Sequence, residues 1–278
     1  MEVGGGIRRY AAAGVDVLDG YADDEICHSG RGQLLLPWPN RIADGRYAFA
    51  GSERQLALTE PQARNAIHGL VRWANWTVAD RAADRVTMAY ALHPQPGYPH
   101  ALDLRVEYRL DGRSLAATID ATNVGDAPCP FGAGVHPYLA VPGPTVDDAV
   151  LRAPGRTRFD SDERGIPTRR EPVDGTAFDF REPRAIGTTV LDTCFTDLER
   201  DPDGRARVRL GDTVVWFDEA YPYVMLFTGD PLADVARRSL AVEPMTCAPN
   251  AFQSGDGLLV LEPGESFSGS FGIEPNAS

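Results

Sequence analysis

The sequence predicts an all-β protein built as an antiparallel sandwich of sheets. Several long stretches alternate apolar and polar residues, as half-buried strands do. The 28 glycines and 22 prolines of the 278-residue chain fall at intervals that suit short strands and turns. No stretch carries a convincing amphipathic helical pattern. Because sandwiches of this length form single units, residues 1–278 are predicted to be one domain.

The clearest strand signal is "LDLRVEYRL" (102–110), in which every second residue is apolar and a turn signal follows. The next stretch, "SLAATIDATN" (114–123), alternates again, so the two stretches are predicted to form a hairpin. The stretches "RVTMAYAL" (85–92) and "ARVRLGDTVVWF" (206–217) show the same pattern. The polar and irregular stretch 158–187 is instead predicted to be a long excursion over the surface.

The composition excludes several functional classes. A formal charge of -13 and a pI near 4.8 disfavour binding to nucleic acid and to anionic membranes. All 27 basic residues are arginine, which excludes Schiff-base chemistry and a Walker A phosphate loop. No apolar run approaches the roughly 20 residues that span a bilayer. We therefore expect a small molecule as the partner, with no nucleic acid and no membrane.

The four cysteines are widely separated and form no C-x-x-C pair, so they are expected to be reduced thiols; they are Cys27, Cys129, Cys194 and Cys247. The N-terminal stretch lacks the apolar segment of a secretory signal, which favours the cytoplasm. No coiled-coil seam indicates an assembly, so a monomer and a homodimer both remain open.

Two residues carry the strongest chemical signals. Glu243 follows an apolar run in "LAVEPM" and precedes a proline, which predicts a carboxylate at a strand end, where desolvation would make it a usable base. His136 precedes Pro137 in "GVHPYL", and a residue before proline is restricted to extended backbone, which fixes the direction of the ring. Structural roles, such as a carboxylate paired with an arginine or a hydrogen-bonded histidine, stay open for both residues.

Two other kinds of site are compatible with these residues. A metal could be held by His68, His136, Asp192 and Glu243, although none of them shows local spacing such as H-E-x-x-H. A glycosidase could use Asp192 and Glu243 as its pair of carboxylates, which would leave both histidines without a role. The metal interpretation is weak, and the glycosidase is the more distant competitor.

Several further residues are expected to be structural. Three histidines in loop-like surroundings are expected to face solvent: His28, His93 and His100. Arg31 and Arg72 are expected to be salt-bridge partners on the surface, although either of them, or Arg41, could supply a cation for an acidic or phosphorylated sugar. The four tryptophans are expected in the core, although a sugar ring would stack on an exposed one: Trp38, Trp73, Trp76 and Trp216.

Five stretches, taken in this order, resemble the aldose 1-epimerase (galactose mutarotase) family. They are "NRI" with the glycines that follow (Asn40 and Arg41), "IHGLVRWANW" (His68), "HPYL" (His136), "LDTCF" (Asp192) and "EPMTCAPNAF" (Glu243). The resemblance covers the chain from about Gln33 to Gly264. Each motif is weak alone, whereas the ordered set is specific. The form "LLPWPNRI" of the first motif is most similar to bacterial branches of the family.

The resemblance implies a galactose-mutarotase-like β-supersandwich of large twisted antiparallel sheets, with a carbohydrate cleft and no metal or organic cofactor. By motif position, it implies that Glu243 is the general base and His136 the general acid. It also implies that Arg41, His68 and Asp192 hold sugar hydroxyls and support the acid, with Asn40 beside them in the binding site. The acid role requires a protonated His136, which a nearby carboxylate would favour and burial would oppose.

The activity implied is mutarotation, the interconversion of the α and β anomers of a hexose or related aldose by ring opening and closure. Some bacterial branches of the family act on sulfonated sugars, so a sulfonated or phosphorylated sugar is an alternative substrate. A hemiacetal isomerase would use the same proton transfers. A sandwich that binds carbohydrate without turnover is the alternative outside enzymes, and retention of both Glu243 and His136 argues against it.

Overall fold

The computed structural model describes residues 1–275 and consists almost entirely of β-strands. The strands are β1 (Ala11–Ala12), β2 (Val15–Asp16), β3 (Leu34–Leu35), β4 (Arg41–Ala43), β5 (Arg46–Phe49), β6 (Ser52–Gln55), β7 (Asn65–Ile67), β8 (Thr77–Arg81), β9 (Arg85–Leu92), β10 (Leu102–Asp111), β11 (Ser114–Asn123), β12 (Cys129–Phe131), β13 (Gly134–Val135), β14 (Tyr138–Ala140), β15 (Val150–Arg152), β16 (Gly155–Ser161), β17 (Pro167–Pro172), β18 (Arg184–Ala185), β19 (Asp192–Leu198), β20 (Ala206–Leu210), β21 (Thr213–Phe217), β22 (Tyr223–Phe227), β23 (Ser239–Met245), β24 (Leu259–Leu261) and β25 (Ser266–Pro275). Helical structure comprises α1 (Ala251–Ser254) and two 3₁₀ turns at Val146–Asp148 and Ala233–Val235. No helix among the described residues is long and apolar enough to cross a membrane.

A nine-stranded antiparallel sheet contains the strands with the clearest alternation. Its order is β18-β15-β20-β21-β25-β11-β10-β9-β8. Strands β10 and β11 form the predicted hairpin, in which Asp111 pairs with Ser114 across a two-residue turn. Gly112 occupies the first turn position with φ +59°, a conformation that favours glycine. The prediction of strands over 85–92, 102–110, 114–123 and 206–217 is therefore confirmed.

The second large sheet has the order β17-β16-β19-β22-β23-β13-β3, and β14 also pairs with β23. Its central strand β23 is buried along its whole length, so both faces of this strand are covered by protein. The residues of a strand that is covered on both faces need not alternate in polarity. This eight-stranded sheet, counting β14, carries His136, Asp192 and Glu243 of the site described below, and the separate pair β4–β7 carries Asn40, Arg41 and His68.

The principal hydrophobic core joins the two sheets. It contains Val106 and Ile119 from the nine-stranded sheet together with Leu226 and Val242 from the eight-stranded sheet. All four side chains are fully buried. Because inward-facing residues of both sheets share one core, the protein is a sandwich, and the predicted all-β class is confirmed.

The prediction that 158–187 is an irregular surface excursion is wrong. Residues within it form β17, most of β16 and the short strand β18. Strands β16 and β17 pair as a hairpin at one edge of the eight-stranded sheet, with Asp160 opposite Arg169. These strands carry charged residues on both faces, where ion pairs such as Arg169 with Asp160 replace apolar contacts. The edge strand β17 has no buried position, so alternation of hydrophobicity cannot reveal it.

Candidate active site

All six residues predicted for the site line one cleft of about 370 Å³. They are Asn40, Arg41, His68, His136, Asp192 and Glu243. Two larger clefts, of about 500 and 720 Å³, contain none of these residues. A concave site in which several titratable side chains converge is the favoured location for chemistry, so we take the 370 Å³ cleft as the candidate active site.

Strand pairing places the two central residues next to each other. Glu243 lies inside β23, opposite Met225 of β22, so the prediction that it stands at a strand end is wrong. His136 lies in the two-residue link between β13 and β14, and both of these strands pair with β23. The other residue of the link, Pro137, accepts a hydrogen bond from the backbone N–H of Val242 (3.0 Å) through its carbonyl oxygen. The link is therefore fixed against the strand that carries Glu243.

His136 and Glu243 are in direct contact in the floor of the cleft. Nε2 of His136 lies 3.3 Å from Oε1 of Glu243, and the two side chains are only 6% and 3% exposed. Burial lowers the pKa of His136 to about 3 and raises the pKa of Glu243 well above its usual value. Both shifts favour the uncharged forms, a protonated carboxyl group beside a neutral imidazole. Burial therefore opposes the protonated His136 that its acid role requires.

His68 presents a hydrogen-bond donor beside this pair. Its Nδ1 accepts a hydrogen bond from the backbone N–H of Asn40 (3.2 Å), which leaves the proton of the neutral ring on Nε2. Burial lowers the pKa of His68 as well, which keeps the ring neutral. The ring lies edge-on to His136, with 5.3 Å between the ring centroids. Asn40 and His68 both adopt left-handed backbone conformations, with φ +53° and +62°.

The same geometry bears on whether a metal could bind. His68, His136 and Glu243 offer donor atoms that lie within 4.8 Å of one another. A metal-ligating histidine normally donates its other ring N–H to an acceptor. In His68 the other nitrogen is itself an acceptor, bonded by the Asn40 N–H, so Nε2 keeps its proton. This arrangement suits donation to an oxygen of a ligand better than coordination of a metal.

Charged side chains line one side of the cleft. The guanidinium of Arg41 donates two hydrogen bonds to the carboxylate of Glu60, with Nε and Nη2 at 3.0 and 3.1 Å. Nη1 of the same group lies 3.9 Å from Oδ2 of Asp192, a side chain that is 44% exposed. Glu60 is fixed in turn by a hydrogen bond from Nδ2 of Asn65 (2.8 Å). Arg41 is thus held rigidly, while Asp192 remains open to a ligand.

The cleft includes residues that the sequence did not assign to it. Glu60, Arg72, Trp73 and Tyr138 line it together with the predicted set. Trp73 is 52% exposed, whereas the other three tryptophans are buried as predicted. The motif "IHGLVRWANW" already contains Arg72 and Trp73, so their position beside His68 was the available signal. Nothing in the local sequence marks Glu60.

Both arginines expected on the surface have other surroundings. Arg31 is only 2% exposed and pairs with Asp19, at 3.0 Å from Nη2 to Oδ2. Arg72 is half-buried in the cleft and has no carboxylate within ion-pair distance among the described residues. The expectation of solvent-facing histidines is confirmed for His93 and is wrong for His28 and His100, which are half-buried.

Comparisons with known proteins agree with this geometry. The chain matches the sequence model of the aldose 1-epimerase family over residues 1–274. The uncharacterized protein YihR of Escherichia coli (strain K12) is 34% identical over 273 residues, covering 95% of this chain and 85% of that protein. The galactose mutarotase of Homo sapiens is 32% identical over 162 residues, covering 55% of this chain and 46% of that protein.

Solved structures show the same fold. A galactose mutarotase-like protein from Clostridium acetobutylicum superimposes with a TM-score of 0.85 at 21% identity, over 99% of this chain and 91% of that one. The galactose 1-epimerase of Lactobacillus acidophilus NCFM gives a TM-score of 0.81 at 20% identity, over 99% and 90%. The predicted galactose-mutarotase-like fold is confirmed, and the chain belongs to the aldose 1-epimerase family.

Proposed function

We propose that the protein is an aldose 1-epimerase that interconverts the α and β anomers of a hexose or related aldose. The observation that carries the proposal is the contact between His136 and Glu243, 3.3 Å apart in a cleft that also holds the other four predicted residues. The anomeric hydroxyl and the ring oxygen of a sugar are bonded to the same carbon. An acid and a base that serve both oxygens must therefore lie close together, as these two do.

Ring opening uses the two side chains together. Transfer of the shared proton from Glu243 to His136 creates a carboxylate and an imidazolium while the pair stays neutral overall. The carboxylate then takes the proton of the anomeric hydroxyl, and the imidazolium gives its proton to the ring oxygen as the bond from C1 to that oxygen breaks. Each positioned proton transfer contributes about 10²–10⁴-fold to a rate. The product is the open-chain aldehyde.

Ring closure reverses these steps on the other face of the aldehyde. After rotation about the C1–C2 bond, the hydroxyl that was the ring oxygen attacks C1 and returns its proton to His136. Glu243 returns its proton to the carbonyl oxygen, which becomes the anomeric hydroxyl of the other anomer. While the aldehyde is present, Glu243 is protonated and His136 is neutral, the same uncharged state that burial favours in the free enzyme.

The surrounding residues orient the sugar. The Nε2–H of neutral His68 donates to a sugar oxygen beside the catalytic pair, and the exposed carboxylate of Asp192 accepts from a hydroxyl. Arg41 is fixed by Glu60, so its Nη1 group offers a donor of fixed direction next to Asp192. Trp73 offers an exposed ring on which a sugar face can stack. These contacts select a polyhydroxylated ligand.

One observation favours a second candidate, an anionic sugar such as a sulfonated or phosphorylated aldose. Arg72 lies in the cleft next to Trp73. Within the part of the chain that the structure describes, its guanidinium donates one hydrogen bond, from Nη2 to the carbonyl oxygen of Ile67 (3.3 Å). A guanidinium without a carboxylate partner is suited to binding an anionic group in two-pronged geometry. The reaction at C1 would be the same for either substrate.

Polarimetry tests the proposal directly. Freshly dissolved α-D-glucose and α-D-galactose are followed with and without enzyme, at a pH where spontaneous mutarotation is slow. We expect acceleration by the wild-type protein that is lost in Glu243→Gln and in His136→Asn. Wild-type turnover in either variant contradicts the role assigned to that residue.

The same assay discriminates between substrates. If neutral sugars are not accelerated, a 6-sulfonated or 6-phosphorylated hexose is tested with the wild type and with Arg72→Met. Acceleration that depends on Arg72 supports the anionic substrate. Sugar binding in calorimetry without acceleration of any sugar contradicts the epimerase and leaves a carbohydrate-binding protein.

A further inference from the structure

A backbone segment packs directly against the imidazole of His136. A Cβ atom at Gly30, where φ is +74°, would lie 2.9 Å from Cδ2 of the His136 ring. The N–H of Gly32 donates to the carbonyl oxygen of His136 (2.8 Å), and the N–H of His136 donates to the carbonyl oxygen of Gln33 (3.1 Å). The segment 30–33 therefore fixes the backbone on which the imidazole is carried.

Within this segment, Arg31 reaches the imidazole through an aromatic ring. The rings of His136 and Tyr138 are stacked, with 4.9 Å between centroids and an interplanar angle of 8°. The guanidinium carbon of Arg31 lies 4.1 Å from the centroid of the Tyr138 ring. The hydroxyl of Tyr138 donates to the carbonyl oxygen of Ser29 (3.0 Å). The orientation of the imidazole thus depends on a ring that is itself held by Arg31 and Ser29.

Asp19 anchors Arg31 and Tyr138 at once. Its carboxylate accepts hydrogen bonds from Nη2 of Arg31 (3.0 Å) and from the hydroxyl of Ser239 (2.7 Å). It also accepts two from Arg238, at 3.1 and 2.9 Å. The backbone N–H of Asp19 donates to the carbonyl oxygen of Tyr138 (2.9 Å). Asp19, Arg31, Tyr138 and His136 therefore form one continuous chain of contacts.

Stability alone does not account for a buried arginine at this position. Arg31 is 2% exposed, and its Nε has no hydrogen-bond partner among the described residues. A buried charge with an unsatisfied donor costs free energy, and apolar residues often replace buried ion pairs without loss of stability. An unpaired Nε is consistent with an arginine that contributes through the planar face of its guanidinium and not through all of its N–H donors.

We propose that Arg31, anchored by Asp19, is a positioning residue that holds Tyr138 against His136 and so fixes the imidazole for proton transfer. The inference rests on the proposed epimerase function for its kinetic consequences. It adds two residues, Asp19 and Arg31, that do not line the candidate active site. Their contacts reach His136 through the ring stack.

Other groups also face the imidazole. Glu243 and His68 contact it, and three arginines lie near enough to act on its charge: Arg31, Arg41 and Arg72. Because Arg41 and Arg72 remain when Arg31 is replaced, the local positive charge is only partly removed. The test therefore compares a variant that removes the guanidinium with one that keeps the charge and loses only the planar face.

The variants are Arg31→Met and Arg31→Lys, and Arg200→Met is the matched control. Arg200 is a partly buried arginine outside the cleft that donates to the carbonyl oxygens of Gly204, Asp218 and Tyr221. We expect both Arg31 variants to lower kcat by roughly ten- to hundredfold, as a misplaced catalytic group does, with KM changed less than about twofold. We expect the ¹⁵N resonances of the His136 imidazole, assigned with His136→Asn, to shift. Arg200→Met changes neither readout.

A folded Arg31→Met protein with wild-type kcat and unchanged His136 resonances overturns the proposal. So does rescue of kcat by Arg31→Lys, because that result assigns the effect to charge and not to the planar contact. If the Arg31 variants do not fold, Asp19→Asn loosens the anchor and leaves Arg31 in place, and wild-type kcat in that variant is equally contradictory. If the wild-type protein does not accelerate mutarotation in polarimetry, the epimerase proposal is refuted. The ¹⁵N resonances of His136 do not depend on turnover, so they still test the positioning role.

Discussion

The two large sheets of this protein are built on different rules. In the nine-stranded sheet, β11 alternates strictly between buried and half-exposed residues along its ten positions. In the eight-stranded sheet, β23 is buried at all seven of its positions and includes a glutamate. Strand β11 thus has a core face and an outer face, whereas both faces of β23 are covered by protein. Complete burial of a strand that carries a charged residue type therefore marks the functional sheet.

The distribution of buried polar side chains makes the same distinction. On the nine-stranded sheet the buried polar residue is Asn123, at the end of β11. On or directly after strands of the eight-stranded sheet there are seven: His136, Thr193, Thr196, Thr228, Ser239, Glu243 and Thr246. A buried polar group costs free energy unless it is hydrogen-bonded. Hydrogen bonds meet this requirement for Thr246, whose hydroxyl accepts from the N–H of Ala133, and for Ser239, whose hydroxyl donates to Asp19.

The largest effect expected is on turnover in the functional sheet. Glu243→Gln removes the base and is predicted to lower kcat by about 10²–10⁴-fold. The unfolding free energy is not predicted to fall, because a neutral amide replaces a carboxyl group that burial already keeps uncharged. Polarimetry and urea denaturation measure the two quantities. The control is Glu107→Gln on the nine-stranded sheet, where Glu107 pairs with Arg109 near the surface.

The opposite pattern is expected in the nine-stranded sheet. Ile119 is fully buried in β11, and Ile119→Ala is predicted to reduce the unfolding free energy by about 2–5 kcal/mol through lost burial and a cavity. The value of kcat per folded molecule stays at the wild-type level. Thr118→Ala, one position along the same strand, is predicted to cost about 1 kcal/mol for its hydrogen bond to Ser270. A fall of kcat in folded Ile119→Ala would show that the two sheets are coupled.

The fold was predictable where one face of a strand is apolar and the other polar. The hairpin of β10 and β11 follows from alternation over Leu102 to Asn123, and the structure confirms it. The hairpin of β16 and β17 was missed because β17 has no buried position and carries charge on both faces, at Arg169 and Arg170. Alternation of apolar and polar residues reveals a strand only when one face is apolar and the other polar, so it gives no signal where both faces carry charge.

The site was predictable only through its ordered motifs. Asn40 and His68 are brought together by the pairing of Arg41 with Ile67 in strands β4 and β7, a contact that no local pattern encodes. Glu60 lies outside the motifs and was missed, although it fixes Arg41 with two hydrogen bonds. A residue that acts by holding another side chain leaves no signature of its own in one sequence.

A smaller effect on catalysis is expected for Asp192, on the charged side of the cleft. Asp192→Asn removes a charged acceptor that is 44% exposed and lies 3.9 Å from Arg41. One charge-assisted hydrogen bond to a sugar hydroxyl corresponds to about a tenfold reduction in kcat/KM. Asp197→Asn, at an exposed position of the same strand β19, is the matched control and keeps wild-type kinetics. Equal kinetics for wild type and Asp192→Asn would remove Asp192 from the binding site.

The pH dependence of folding separates the two residues of the catalytic pair. Burial raises the pKa of Glu243 above 4.5, so the folded state keeps a proton that the unfolded state releases, and this stability is lost as pH rises above 4.5. Burial lowers the pKa of His136 from 6.5 to about 3, so the unfolded state binds a proton that the folded state does not. The stability from His136 is therefore lost as pH falls below 6.5. Between these values the two effects oppose each other.

Replacing one residue of the pair reveals the pH dependence of the unfolding free energy that the other residue contributes. Between pH 4.5 and 6.5, Glu243→Gln should make the unfolding free energy rise more steeply with pH than in the wild type, and His136→Asn should make it rise less steeply. Each difference is at most one proton, or about 1.4 kcal/mol per pH unit. Urea denaturation across this range measures the slopes. Equal slopes in the wild type and both variants would contradict the pKa shifts that burial gives to these two residues in the folded state.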